Sequence, residues 1–214
     1  MMKKFLPLCG LLLLSLVPSG VFASGEDSAA LILKAYEGVS DLSARFSQIT
    51  TIETTEIEKA ASGNVFFKRG GKMRWEYEGA DPQLIVSDGK VLWFYQVRDR
   101  TAVRRDTAYL PPSAKVALDL LGGLRDAGKY FEQSSCGEGC LELKPKKTDP
   151  DLKRLVVRHA ADGFIVSVTS ENALGNITKV EFSEAKKNTG VKDALFTFTP
   201  PEGVEVVDEN GEKN

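Results

Sequence analysis

"FKRGGKMRWEY" (residues 67–77) decides how this chain folds. Phe67, Met73, Trp75 and Tyr77 all fall on odd positions, the spacing that sends side chains to one face of a strand. Gly70 and Gly71 interrupt the run, so it reads as two strands joined by a tight turn. Arg69 is also at an odd position, and an arginine on an otherwise apolar face requires an explanation.

Upstream, Leu42, Ala44 and Phe46 alternate with Ser43, Arg45 and Ser47, again a strand period. Before them, Ile32, Ala35, Tyr36 and Val39 recur at helical spacing behind Asp27-Ser28, which is expected to cap one amphipathic helix. Downstream, strands are expected at 63–69, 72–77, 83–87, 90–97 and 101–106, with Asp88-Gly89 as a hairpin turn. "YLPPSAKVALDLLGGL" (109–124) then switches to helical spacing through Val116, Ala117, Leu120, Leu121 and Leu124, with an end expected at Gly122-Gly123. Strand signals resume at 130–136, 140–144, 152–159, 164–171 and 177–187, and a last strand is expected at 195–199.

A long row of antiparallel strands with only two apolar helical segments implies one large curved sheet whose concave face the helices cover. Its inner face is expected to carry Phe46, Phe67, Met73, Trp75, Trp93 and Tyr95. Alternation alone leaves a two-sheet sandwich open, since its inner faces would fill each other.

The amino terminus stands apart from the fold. Lys3 and Lys4 precede an apolar run from Phe5 to Val17, and Val21-Phe22-Ala23 follows Pro18-Ser19-Gly20, the pattern of a secretory signal cleaved near Ala23. The run is too short to span a bilayer, which needs about 20 apolar residues. Cys9 lies too early in it to be the lipid-carrying cysteine of a lipoprotein signal. Removing residues 1–23 from the 214 leaves 191, expected to form a single domain over 24–214. The mature chain holds 26 basic against 30 acidic residues, a net charge of about −4 that favours neither nucleic acid nor an anionic membrane surface.

Chemistry-bearing patterns are missing. His159 is the only histidine and no Gly-x-Ser-x-Gly elbow accompanies it, so no catalytic residue is expected. "GGLRDAG" follows a helix signal rather than a strand and is no phosphate loop. Glu53, Glu56 and Glu58 suit a solvated hairpin better than a glycosidase pair. Cys136 and Cys140 are placed to close a disulfide across a hairpin tip in an oxidising compartment, whereas two thiols and one histidine make a poor metal site. No metal or cofactor is expected, and the chain reads as a binding protein.

Four blocks carry a family likeness: "LSARFSQ" (42–48), "GNVFFKRGGKMRWEY" (63–77), "LIVSDGKVLWFY" (84–95) and "FTFTPPEGVEV" (196–206). In this order the chain resembles the LolA-type outer-membrane lipoprotein carriers. The resemblance implies an unclosed, strongly curved antiparallel half-barrel with α-helices as a lid over an apolar cavity. It implies a periplasmic monomer that receives acylated lipoproteins from an inner-membrane ABC transporter and passes them to an outer-membrane receptor of similar fold. Tyr36, Leu42, Phe46, Phe67, Met73, Trp75, Trp93, Val116, Leu120 and Leu121 are the residues expected to meet acyl chains. Arg69 matches the family's K-R-P arginine, which implies hydrogen bonds to the lid; read without the family it is a strand-end arginine paired with a carboxylate. Gly70 stands where the family usually has proline. A receptor or an envelope sensor of the same fold is the alternative, and an exported hydrolase is the alternative from another class.

Overall fold

The computed structural model describes residues 25–119 and 123–209. The expected leader with its Cys9, and Leu120 and Leu121 of the middle segment, lie outside the described residues.

Among the described residues, twelve strands form one open, curled sheet. They are β1 (Asp41–Ile52), β2 (Ile57–Lys68), β3 (Lys72–Tyr77), β4 (Gln83–Asp88), β5 (Val91–Gln96) and β6 (Thr101–Asp106), then β7 (Phe131–Ser135), β8 (Cys140–Pro145), β9 (Arg154–His159), β10 (Ile165–Glu171), β11 (Ile177–Lys187) and β12 (Glu205–Asp208). Across the sheet the order is β12-β6-β5-β4-β3-β2-β1-β11-β10-β9-β8-β7, so a single sheet and not a sandwich is present. Neighbours are antiparallel except β12, which runs parallel to β6.

Register sets which side chains meet. Leu42 pairs with Phe67, Ala44 with Val65, and Phe46 with Gly63, while Phe67 pairs with Met73 and Val65 with Trp75. Directly opposed residues share a face, so the odd residues of β2 and β3 join the even residues of β1 on the concave side. Phe46, Val65 and Phe67 are almost fully buried there, and withdrawing each such side chain from water contributes about 1.5–3 kcal/mol.

Helix α1 (Gly25–Tyr36) packs on β7 and β8. Asp27 and Ser28 lie inside its first turn instead of capping it; Ser28 is buried and begins the inward stripe that continues through Ile32 and Tyr36. The β9–β10 turn passes so close that a Cβ on Gly163 would lie 2.5 Å from the Leu31 carbonyl oxygen, and Gly163 has φ +85°. Only glycine permits that approach.

Helix α2 (Pro112–Leu118) stops short of the glycine pair expected to end it. Asp119 turns the chain: its carbonyl accepts from the Leu124 N–H at 3.2 Å and its carboxylate from the Asp126 N–H at 2.8 Å. Leu124 is therefore buried from a loop, with φ +58°, and not from the helix. A short helix α3 (Ala127–Tyr130) leads directly into β7.

Two expectations fail on the convex face. In β5 it is Leu92 and Phe94 that join the concave core, whereas Trp93 and Tyr95 point the other way and meet Phe198, with ring centroids 5.5 and 5.3 Å apart. The residues expected as a strand at 195–199 instead form a 3-10 turn over Asp193–Phe196 and a non-strand segment, with Phe196 fully buried. This segment packs on β3 and β4, tied by the Arg74 Nη1 bond to the Leu195 carbonyl at 3.1 Å. The strand "VLWFY" (91–95) is apolar on both faces because the carboxy-terminal tail covers the second one.

Candidate functional site

The concave face is floored by aromatic rings. Trp75 stands among them, 4.8 Å from Phe46, 6.0 Å from Phe67 and 6.0 Å from Phe182. Tyr77 lies against Phe46 at 4.9 Å in an edge-on contact, the geometry that ring quadrupoles favour. Above this floor, Trp75, Val116, Leu124, Leu152, Leu155 and Phe182 line a partly open, mainly apolar cavity of about 250 Å³. Of the expected cavity residues, Trp75 and Val116 line it; Tyr36, Leu42, Phe46, Phe67 and Met73 belong to the same buried cluster without bordering the void. Trp93 lies on the opposite face of the sheet.

Arg69 lies one residue beyond the end of β2, so its side chain leaves the sheet instead of entering the interior. Its Nε donates to the Val39 carbonyl at 2.7 Å and its Nη2 to the Glu37 carbonyl, while its backbone N–H donates to Ser40 at 3.1 Å. These oxygens belong to Glu37, Val39 and Ser40, in the turn that follows the carboxyl end of α1. The partners are thus backbone carbonyls of the turn after α1 and not the carboxylate of the simpler reading; Asp193 pairs with Lys68 and Lys72. Gly70 and Gly71 have φ +89° and +73°. Proline, locked near −65°, cannot occupy this version of the turn.

The same junction is held from its other side by residues that sequence reasoning missed. Asn188 Oδ1 accepts from the Ser40 N–H at 2.7 Å, and its Nδ2 donates to the Gly38 carbonyl at 3.1 Å. Asp41, buried at 3% exposure, accepts from the Thr189 N–H at 2.7 Å, the Thr189 hydroxyl at 3.1 Å and the Gly190 N–H at 3.2 Å. Burial pushes its carboxyl up, but these bonds and that of the Ser40 hydroxyl outweigh it and hold Asp41 below the usual range. No periodicity marks Asp41 or Asn188, since their partners lie about 148 residues away along the chain.

Tyr36 fastens α1 to the sheet. Its ring stacks on Phe164 at 4.7 Å and its hydroxyl accepts from the Ile165 N–H at 3.4 Å; burial pushes its ionisation up to about 12. At the far edge of the sheet, Cys136 and Cys140 are joined in a disulfide, with Cα atoms 5.1 Å apart. His159 is half-buried at the end of β9, its Nδ1 at 2.8 Å from the Ala160 carbonyl.

Comparison with known proteins agrees with this architecture. The chain is 33% identical to an outer-membrane lipoprotein carrier protein of Chromobacterium violaceum, over 94% of this chain and 98% of that one. It is likewise 33% identical to the protein so named from Alkalilimnicola ehrlichii, over 94% and 92% of the two chains. The crystal structure of an uncharacterized conserved protein from Thermus thermophilus shares the fold, with a TM-score of 0.51 at 16% identity over 85% of this chain and 99% of that one. The family described as outer membrane lipoprotein carrier protein LolA matches residues 37–199, and the chain belongs to that family.

Proposed function

We propose that this protein is a periplasmic carrier: it takes acylated lipoproteins released from the inner membrane by an ABC transporter, shelters their acyl chains beneath α1 and α2, and yields them to an outer-membrane receptor. Arg69 carries this reading. Two side-chain hydrogen bonds from one exposed guanidinium hold the end of α1 over an aromatic floor, and they can be released without breaking the sheet.

The energetics suit a shuttle. Exposing an acyl chain of about 16 carbons to water costs roughly 12 kcal/mol at about 0.8 kcal/mol per CH₂. A bare lipoprotein therefore does not cross an aqueous space. The cavity of about 250 Å³ is small, so cargo enters by displacing the lid and repacking side chains such as Met73 and Val116. Opening breaks the Arg69 bonds, which lowers cargo affinity and makes surrender to a receptor favourable. No covalent step is involved; residues 24–214 act as one carrier domain, delivered by the leader at 1–23.

The decisive experiment incubates spheroplasts carrying labelled lipoprotein with the purified protein. A carrier releases the label into solution as a complex of the two proteins. Label retained in the membrane fraction at every protein concentration defeats the proposal.

A further inference from the structure

Two residues past the aromatic floor, the concave face changes character. Phe46 is followed on that face by Gln48 and Thr50, and Trp75 by Tyr77. The Tyr77 hydroxyl donates to Gln48 Oε1 at 3.0 Å, Gln48 Nε2 donates to Thr50 Oγ1 at 3.3 Å, and Thr50 Oγ1 lies 3.2 Å from Thr178 Oγ1. A single hydrogen-bonded ladder of neutral groups thus crosses β3, β1 and β11. All four side chains are half-buried, and burial pushes the Tyr77 phenol up to about 12, so it stays a neutral hydroxyl.

The ladder lies beside residues that line the apolar cavity and itself borders an open cleft. Gln48 pairs with Val180, and Val180 and Trp75 both line the 250 Å³ cavity. On its other side a cleft of about 1000 Å³ is bordered by Gln48, Thr50, Lys59, Ala61, Tyr77 and Gln83. A cross-strand hydroxyl pair is an ordinary sheet feature. A carboxamide inserted between a phenol and a threonine is different, because it keeps capacity in reserve. The amide of Gln48 has two N–H donors and a carbonyl with two lone pairs, and one of each is engaged by the ladder.

We infer that Tyr77, Gln48, Thr50 and Thr178 form the subsite for the neutral polar portion of an amphiphilic cargo, the ester and amide groups that join acyl chains to the first residues of a lipopeptide. The inference rests on the carrier reading above. Esters and amides carry no charge but need hydrogen-bond partners when withdrawn from water. The ladder meets them at the place where a chain leaving the cavity reaches the cleft. A fatty acid offers no such linkage, so the ladder discriminates lipopeptide from free acid of equal chain length.

Binding of a synthetic diacylglyceryl-cysteinyl pentapeptide and of palmitate is measured on the parent protein and on Tyr77→Phe/Thr50→Val and Gln48→Leu variants. These replacements keep side-chain volume, and retained palmitate binding verifies the fold. The expected result is a loss of about fivefold to tenfold in lipopeptide affinity per variant, the size set by removed hydrogen bonds, with palmitate affinity changed less than about twofold. Equal losses for both ligands, or no loss for either, overturns the subsite while the carrier reading stands. A parent protein that binds neither ligand overturns both.

Discussion

The Nε of Arg69 lies 2.7 Å from the carbonyl oxygen of Val39, so the first turn after β2 is fastened to the segment that leaves α1. The bond connects a strand end to a helix end. It is partly buried, whereas the companion bond to the Glu37 carbonyl is exposed, and no other residue donates a side-chain hydrogen bond to either Val39 or Glu37 among the bonds of the described residues.

Replacing Arg69 by leucine removes the closed-state bonds and leaves the apolar interior intact. Cargo affinity should rise by about tenfold or more, since bonds involving a charged donor contribute about 1.5–3 kcal/mol to the closed form. Transfer to the receptor should fall in proportion. Arg69→Lys should resemble the leucine variant more than the parent, because one ammonium does not reproduce the planar fork that reaches two carbonyls. Transfer assays with labelled lipoprotein check both; unchanged transfer in Arg69→Leu contradicts the latch.

The two tryptophans report opposite faces. Trp75 borders the cavity, and Trp93 lies under Phe198 on the convex side. Adding an acylated ligand should change the fluorescence of a Trp93→Phe variant, whose signal is Trp75 alone, and leave that of Trp75→Phe nearly constant. A response confined to Trp75→Phe would place the ligand on the wrong side of the sheet.

Val116→Trp should fill much of the 250 Å³ cavity from α2. Acyl-ligand affinity should drop by about tenfold, while stability changes by less than about 3 kcal/mol, the usual cost of overpacking. Ligand titration and urea unfolding separate the two effects.

Asp41 gives the stability a sign in acid. Its folded-state ionisation lies below the unfolded value of about 3.9, so its contribution is present above that value and disappears as pH falls through the lower, folded one. Asp41→Asn should lower the melting temperature at pH 7 by roughly 3–8 °C through lost hydrogen bonds, and flatten the decline below about pH 4. Calorimetry across pH 2–7 tests this; an acid limb as steep as the parent's would exclude Asp41 as its source.

Phe196→Ala should cost about 3–5 kcal/mol, the range for a fully buried aromatic. The same change should expose Trp93 and shift its emission to the red. A neutral effect would show that the tail does not support the convex face.

Much of this architecture was legible in the chain alone. Strands β2 to β6 and β8 to β11 fall within one or two residues of their expected limits at most of their ends, because a half-buried strand must alternate and its turns must carry Gly, Pro or Asp. Helix α1 was visible for the same reason at its own period. The faces of β5 were not, because "VLWFY" is apolar throughout and alternation carries no information where both sides are covered. Its second cover comes from residues about 100 positions later, which the tail's apolar spacing made look like another strand.

What the sequence by itself determined is the set of local periods: where strands run, where a helix lies, and which family the order of blocks belongs to. Only the tertiary structure decided that Arg69 grips carbonyls and no carboxylate, that Asp41 and Asn188 hold the opposite side of that junction, and that Gln48 links Tyr77 to Thr50. The physical reason is that backbone preference acts over a few residues, whereas a hydrogen bond is selected by whatever the sheet's curvature brings within 3 Å.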